Sequence, residues 1–382
     1  MMSVVGRTTR RRWLVVAAGV AAFVGSQAVA PTAARMLDAA VDPVESAPPS
    51  TLVERALSSQ DVPHQAVAQI RGSLGPPDLP RLGEVAALLA GTTRSRVWWS
   101  SSESWRVDTL TEGGEVGTYG VGDTLVVWDY GQSLRTTVTG TGGARLPRAD
   151  DLLPPQAARR LLAGVGGDDQ VTALPDMWVA GRTAAGVRVV PGDARSTVQR
   201  IDIWVDPGTG LPVELHVVDR NGTDALVTRY LEVTLDPPAG AVLTPPNPPA
   251  ARREVTSTPD LASAVDAESP WLLPAALAGL SASRTPLEGV AVYGEGLVRF
   301  AVLPLPSRLA DDALDDALDA GAEALDVVRG EAALVTSSVL NVVVARGPGG
   351  HHAYVVAGFV TADTLEAAVV ELLADPPGRR DR

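Results

Sequence analysis

The strongest constraint on the fold of this chain lies in residues 199–235, which predict three consecutive antiparallel strands. Apolar residues alternate with polar or aromatic ones through residues 201–205, the period-2 pattern of a strand with one apolar face. The turn sequence Pro207-Gly208-Thr209-Gly210 interrupts the alternation, which resumes through residues 211–217. Asn221-Gly222 marks a second turn before the third strand. We therefore expect the chain to fold around an antiparallel sheet.

The residues before this meander predict more strands of the same sheet. One segment, residues 152–164, breaks the strand pattern: Pro154-Pro155 begins it, and apolar residues then follow at helical spacing. Strands on both sides of this segment predict one large sheet with a helix laid across it. The alternating runs before the helix are residues 94–100, 105–109, 115–121, 124–130 and 134–139.

The residues after the meander predict a spacer and a smaller unit. Six prolines between Pro237 and Pro249 predict an extended, unpaired linker at residues 241–259. The smaller α+β unit is expected to contain strands at residues 288–293, 297–303, 335–346 and 353–361, and helices at residues 309–328 and 362–374. The predicted organisation is a signal or membrane-anchor segment at 1–35, a sheet domain at 50–240, the linker at 241–259 and the α+β domain at 260–376.

The N-terminal segment carries a targeting signal. Arg7 and Arg10-Arg11-Arg12 precede residues 13–30, which are uncharged and rich in Val and Ala. Ala28-Val29-Ala30 has the small-x-small form of a cleavage site, although Pro31 follows it directly. The segment is expected to be either a cleaved secretory signal or a single N-terminal membrane anchor. Both alternatives place the body of the protein outside the cytoplasm.

The composition of the chain excludes several classes of site. The chain has no cysteine, so it forms no disulfide, no thiolate metal site and no cysteine nucleophile. All 32 basic residues are arginine, which excludes a Schiff-base lysine and a P-loop lysine. The net charge of -13 argues against a nucleic-acid partner, because an acidic body repels phosphate backbones.

The polar residues predict no catalytic or metal site. His351 and His352 are adjacent, and no third metal ligand lies at a useful spacing. His216 lies beside Glu214 on the polar face of a strand, but no nucleophile motif accompanies it. The acidic residues within 311–323 fit neither register of a calcium-binding loop and are expected to form either a solvated helix face or a docking surface for a basic partner. We therefore predict no enzyme activity, no cofactor and no metal.

The tryptophans point to binding. Most of the 8 tryptophans fall on predicted strands of the first domain, and several face away from the Leu, Val and Ile side chains of the same strand. Apolar side chains on both faces indicate that a second layer, such as the helix at 152–164, covers the sheet. The space between the layers is either packed solid or holds an apolar ligand. The residues expected to line such a cavity are Val97, Trp99, Val126, Trp128 and Trp204.

Four local motifs resemble the LolA-like and RseB (MucB)-like superfamily of periplasmic lipoprotein carriers and sigma-E regulators. The motifs are IDIWVDPGTGLPVELHV at residues 201–217, WRVDTL at 105–110, VVWDY at 126–130 and GVAVYGEGLVRFAV at 289–302. The resemblance implies a mainly β fold, with an unclosed antiparallel β-barrel, a helical lid and a small C-terminal α+β domain. The high Ala, Gly and Arg content without Lys is typical of an actinobacterial source.

The resemblance also implies what the protein does. Its apolar half-barrel would bind acyl chains or lipoproteins without enzymatic activity, in the cell envelope, as a carrier or as a lipid sensor. The alternative is an RseB-like regulator that binds a membrane anti-sigma factor and so controls an extracytoplasmic-function sigma factor. Both alternatives stay open on the sequence alone.

Overall fold

The computed structural model describes residues 47–73, 91–111, 114–140, 148–257, 266–267, 269, 271–283, 289–305, 307–319, 321–350 and 352–378. This part of the chain is mainly β-structure. The predicted signal or anchor segment, residues 1–35, lies outside the described residues. None of the helices in the described ranges has the length and apolar character needed to cross a membrane.

The elements fall into two groups along the chain. The first group is α1 (Pro49–Leu57), β1 (His64–Gly72), β2 (Thr92–Ser101), β3 (Ser104–Thr111), β4 (Gly114–Val121), β5 (Thr124–Asp129), β6 (Leu134–Thr139), α2 (Pro154–Leu162), β7 (Gln170–Val179), β8 (Arg182–Val190), β9 (Val198–Val205), β10 (Pro212–Asp219), β11 (Asp224–Thr234) and β12 (Arg252–Ser257). The second group is β13 (Ala276–Leu277), β14 (Leu280–Ser281), β15 (Ala291–Glu295), β16 (Val298–Leu305), α3 (Ser307–Asp319), β17 (Glu323–Leu325), β18 (Glu331–Thr336), β19 (Asn341–Arg346), β20 (Ala353–Gly358) and α4 (Ala362–Ala374).

The first group forms one large open sheet. Its strand order is β12-β6-β5-β4-β3-β2-β1-β11-β10-β9-β8-β7, and every pair is antiparallel except β12 with β6. Strands β12 and β7 stand at opposite edges and do not pair with each other in the described part of the chain, so the sheet does not close. The meander predicted from residues 199–235 is confirmed as β9-β10-β11.

Local hydrogen bonds and one glycine stabilise the turn between β9 and β10. The Asp206 carboxylate accepts hydrogen bonds from the backbone N–H and the hydroxyl of Thr209, both at 2.8 Å. Gly210 adopts φ +77°, and a Cβ there would lie 2.7 Å from the carbonyl oxygen of Arg55 in α1. Only glycine fits this position without strain. The turn therefore fixes the register of β9 with β10 and holds it against α1.

Both helices of the first group pack on one face of the sheet, which we call the inner face. Helix α2 contacts β10 and β11, and α1 contacts α2, β7 and β8. Ala158 and Leu162 of α2 are buried against Ile201, Ile203 and Leu215 of the sheet. The opposite side is called the outer face. Directly paired residues of a ladder share a face, so the registers extend this assignment to every strand.

One sequence-based expectation about the linker is wrong. Residues 241–259 were expected to be unpaired, but β12 lies within them and pairs in parallel with β6. No proline lies between Pro249 and the end of β12 at Ser257, so these residues retain the N–H groups that a ladder requires. All six residues of β12 are exposed, so backbone hydrogen bonds rather than buried side chains hold the strand in place.

The second group forms a six-stranded antiparallel sheet of order β15-β16-β20-β19-β18-β17. Helix α3 packs on one face of this sheet, and α4 packs on the other. The closing helix has the predicted bounds, whereas the helix expected at 309–328 ends at Asp319. Gly321 adopts φ +88°, a conformation that terminates helices, and the chain continues as the edge strand β17. The single strand expected at 335–346 contains the end of β18, a turn and β19, and β19 pairs with β20.

The loop before β9 joins the two sheets. Ser196 forms an antiparallel bridge with Val360, and the Thr197 N–H donates to the carbonyl of Phe359 at 3.0 Å. Leu297 and Val339 of the second group are buried in the same apolar cluster as Leu162 of α2. The core beneath α2 is therefore shared between the two groups of elements.

Candidate ligand-binding face

A row of rings crosses four neighbouring strands on the inner face. Tyr230 of β11, His64 of β1, Trp99 of β2 and Trp105 of β3 follow one another, with ring centroids 5.4, 6.2 and 5.4 Å apart. Gly120 of β4 continues the row without a side chain, because a Cβ there would lie 2.2 Å from Trp105 Nε1. The rings therefore form a continuous buried surface that ends above β4.

The hydrogen bonds of His64 determine its tautomer. Nδ1 lies 2.8 Å from the carbonyl oxygen of Val62, which can only accept, so Nδ1 carries the proton. Nε2 then accepts the hydrogen bond of the Tyr230 hydroxyl, also at 2.8 Å. Burial lowers the pKa of His64 from 6.5 to about 4 and raises the pKa of Tyr230. The row of rings is therefore uncharged at neutral pH.

Beyond the rings, the inner face of β4, β5 and β6 carries apolar side chains that are only half-buried. The pairing Trp105–Gly120–Leu125–Val138 continues the row strand by strand. Helices α1 and α2 make their main contacts on β7, β8, β10 and β11 instead. The half-buried apolar residues of this surface, which we call the open floor, are Val116, Leu125, Val127, Leu134 and Val138.

The charge distribution separates the two faces of β2 to β6. Arg106 makes a bidentate ion pair with the buried Asp108 at 2.6–2.7 Å and lies 4.7 Å from the centroid of the Trp98 ring. Arg106 also donates to the carbonyl of Val242, in the segment that follows β11. Arg96, Glu115 and Arg135 pair onto the same, outer face, whereas Asp129 at the end of β5 pairs with Val116 and Leu134 on the inner face. The inner face of these strands is left mainly apolar.

The N-terminal end of α2 is fixed by ion pairs. Arg148 donates from Nε and Nη2 to the Asp150 carboxylate, both at 2.9 Å. The Asp151 carboxylate accepts from the backbone N–H of Arg148 and from the side chain of Arg160. Leu153, which is fully buried, packs in the same cluster as Trp99 and Trp105. The helix therefore starts from an anchored point beside the row of rings.

The structure does not bring the five predicted lining residues together. Val97 and Trp99 lie on the inner face, and Trp99 Nε1 donates to the Gln60 carbonyl at 2.8 Å. Val126 and Trp128 lie on the outer face, where Ala251 covers them in a small cluster. The expectation of one shared cavity wall is therefore corrected. Val126 and Val127 are adjacent and both apolar, and the pairing of Val127 with Thr118 decides which of the two faces inward.

The fifth predicted residue, Trp204, is half-buried on the outer face. It pairs with Glu214, its Nε1 donates to the Pro175 carbonyl at 3.2 Å, and its ring meets the ring of His216 edge-on at 5.4 Å. His216 contacts the carboxylates of Glu214 and Asp224 at 2.8 and 3.3 Å. Burial opposes the charged form, but the hydrogen bonds to Asp224 and Glu214 outweigh it and raise the pKa of His216 to about 9. A histidine held protonated in this way is a structural cation rather than a general base.

The potential metal ligands are also placed by the structure. Among the described residues, no group of three or more His, Asp or Glu side chains is arranged to hold a metal ion. His351 lies outside the described residues, and His352 packs against Trp271 with ring centroids 4.1 Å apart.

The sequence interpretation missed several residues of the inner face. His64, Trp105 and Tyr230 were not chosen as lining residues, because nothing in the alternation of one strand reveals which residue it faces on the next. The only local signals were Trp105 on an alternating strand and Gly120 between two apolar strands.

The comparisons with known proteins give structural matches of low sequence identity. No family model matches the chain, and no curated protein matches it. The complex structure of Pseudomonas aeruginosa MucA/MucB matches with 17% identity, a TM-score of 0.47 and coverage of 84% of this chain and 97% of that one. A crystal structure of MucB gives 15% identity, a TM-score of 0.42 and coverage of 84% and 96%. A LolA superfamily protein from Nitrosomonas europaea gives 15% identity, a TM-score of 0.25 and coverage of 52% and 99%. These structures belong to the two groups that the sequence motifs resemble.

Proposed function

We propose that this chain is a non-enzymatic, extracytoplasmic protein that binds the acyl chains of lipids or lipoproteins on its inner face. The observation that carries the proposal is the open floor, a set of half-buried apolar side chains continuous with a buried row of rings. In this proposal the open sheet acts as a half-barrel, and α2 acts as its lid.

The chemistry of the inner face fits an acyl chain. The row of rings is neutral, and the charged side chains Arg96, Arg106 and Asp108 lie on the outer face. An apolar chain placed on the open floor would remove its methylenes from water, which contributes about 0.8 kcal/mol per methylene. Val97 and Trp99 remain proposed as buried support of the site, and the proposed contact residues are the five members of the open floor.

The proposal extends to domains and location. Residues 50–240 would form the half-barrel domain, with β12 added at its edge, and residues 260–376 a second α+β domain. The arginines and the apolar segment within residues 1–35 support an extracytoplasmic location, as a secreted or an anchored protein.

A matched pair of substitutions tests the binding face. Val138 and Thr137 are neighbours on β6, both are half-buried, and they point to the inner and outer faces respectively. Val138→Asp places a charge on the open floor and is expected to reduce binding of an apolar fluorescent probe by about 10-fold or more. Thr137→Asp is expected to bind like the unsubstituted protein. Equal binding by both variants would remove the support for this face as the site.

A second candidate function is regulation through a protein partner, and the shared core favours it. Leu162 of the lid packs in one cluster with Leu297 and Val339 of the second group. We propose that this shared packing transmits a movement of the lid to the second sheet. We propose that the second domain would bind the extracytoplasmic part of a membrane anti-sigma factor. A pull-down of such a protein by lipid-extracted chain tests this. Capture of the anti-sigma factor by the lipid-extracted chain favours regulation. Failure of both the lipid-extracted and the lipid-bound chain to capture it rejects regulation.

A further inference from the structure

We propose that Arg159 of the lid binds the anionic head group of the acyl ligand, so that the preferred ligand is a negatively charged amphiphile. The inference rests on the proposed lipid-binding function and adds the chemical class of the ligand. The starting observation is that one nitrogen of the Arg159 guanidinium group has no hydrogen-bond partner among the described residues. This group lies on α2, which packs against the inner face.

The surroundings of Arg159 are unusual for a charged side chain. It is half-buried on α2, where Gln156, Ala158 and Leu162 are buried. Nη2 donates to the amide oxygen of Gln156 at 2.9 Å, which is a neutral partner. Nη1 is inaccessible to solvent and has no hydrogen-bond partner among the described residues. A buried donor of a charged group without a partner is costly, and a bound anion would remove that cost.

The neighbouring arginines show that Arg159 is an exception on this segment. Arg148 pairs with Asp150, and Arg160 pairs with Asp151. Asp61 lies near enough for its charge to influence Arg159 but forms no ion pair with it in the described contacts. Oδ1 of Asp61 instead accepts from the backbone N–H and the hydroxyl of Ser102, both at 2.8 Å. The protein therefore leaves the direct carboxylate partner of Arg159 to be supplied from elsewhere.

A second unpaired polar atom lies on β11, a strand that α2 contacts. Oγ1 of Thr228, on the inner face of β11, is buried and has no partner among the described residues, and α2 packs on β11. The hydroxyl can donate to the same kind of acceptor as Arg159, whereas the Tyr230 hydroxyl already donates to His64. A carboxylate or phosphate oxygen accepts from both a guanidinium and a hydroxyl. From there an acyl chain would follow the inner face toward the open floor.

The test compares ligands that differ only in the head group. The full chain is freed of lipid by organic extraction and refolding, and tryptophan fluorescence then measures binding of dodecanoate, 1-dodecanol and inorganic phosphate. We expect dodecanoate to bind at least about 10-fold tighter than dodecanol, because a hydrogen bond to a charged group is stronger than one to a neutral group. In Arg159→Gln this preference should disappear while dodecanol binding stays unchanged.

Two further variants make the result specific to Arg159. Arg94→Gln makes the same charge change on an exposed residue of the outer face and should keep the preference. Arg159→Lys retains the positive charge and should keep part of the preference for dodecanoate over dodecanol. Circular dichroism of each variant checks its folding.

Each remaining outcome contradicts a different claim. Equal binding of dodecanoate and dodecanol by the unsubstituted protein would overturn the role of Arg159 and leave the proposed function standing. Binding of neither would overturn the proposed function itself. Displacement of dodecanoate by equimolar inorganic phosphate would assign the site to free phosphate and overturn the head-group inference.

Discussion

The buried His64 predicts that the inner face loses stability in mild acid. Its pKa is lowered from 6.5 to about 4 by burial, so the folded protein resists protonation of a ring that protonates readily when unfolded. The stability that this group contributes is fully present above pH 6.5 and is lost as the pH falls from 6.5 to about 4. The difference between these two pKa values corresponds to about 3 kcal/mol, a large part of the stability of an ordinary domain.

The structure also explains why protonation is unfavourable. In the neutral tautomer, Nε2 of His64 accepts the hydrogen bond of Tyr230 at 2.8 Å. A proton on Nε2 would force the Tyr230 hydroxyl to turn and accept, which leaves its own proton without that acceptor, and would bury a charge between the rings of Tyr230 and Trp99. Protonation should therefore destabilise the row of rings.

The assay is urea unfolding followed by tryptophan fluorescence at pH 7.5, 6.0 and 4.5, for the unsubstituted protein and for His64→Phe. Phe cannot be protonated, and it leaves the Tyr230 hydroxyl without its acceptor at every pH, at a constant cost of about 1–3 kcal/mol. The free energy of unfolding of the unsubstituted protein should fall by about 2.5 kcal/mol relative to that of His64→Phe between pH 7.5 and 4.5, so that the variant becomes at least about as stable as the unsubstituted protein at pH 4.5. A difference that does not change with pH would refute the assignment of the acid sensitivity to His64.

The remaining predictions concern His216 on the outer face and Gly120 at the end of the row of rings. His216, whose pKa is raised to about 9, should contribute stability that is fully present below pH 6.5 and lost as the pH rises through about 9. Thermal unfolding should therefore show the advantage of the unsubstituted protein over His216→Gln at pH 6.5 and little advantage at pH 10. Gly120→Ala should destabilise the protein by about 1–3 kcal/mol and shift its tryptophan emission, because the new Cβ meets Trp105 at 2.2 Å. Gly166→Ala, which meets no atom within 4 Å, is the matched control and should change neither.

Much of the secondary structure could be predicted because single strands and turns are local. Alternation placed β5, β6 and the β9-β10-β11 meander within a few residues, and the closing helix has the predicted bounds. Predictions of secondary structure were wrong where the end of an element or the pairing of a strand depends on residues outside the local pattern. The helix expected at 309–328 was extended past Gly321 because its acidic stripe continued. Strand β12 was missed because its pairing with β6 depends on residues more than a hundred positions away.

The site was harder to predict because it depends on which face each strand presents. Val126 and Val127 are equally apolar, so the sequence gives no reason to prefer either one, and only the pairing across β4 assigns Val127 to the inner face. His64 and Tyr230 are separated by 166 positions and meet through the pairing of β1 with β11. The missing partner of Arg159 Nη1 is a property of the folded packing, which the helical spacing of residues 152–164 does not reveal.

The central claim is that the inner face holds an acyl ligand, and native mass spectrometry of the full-length protein tests it most directly. The protein is purified gently from an envelope-containing host, and its mass is compared before and after organic extraction. The account predicts extra mass that extraction removes, and less of it in Val138→Asp than in Thr137→Asp. A mass equal to that of the polypeptide alone, in the unsubstituted protein and both variants, would contradict the account.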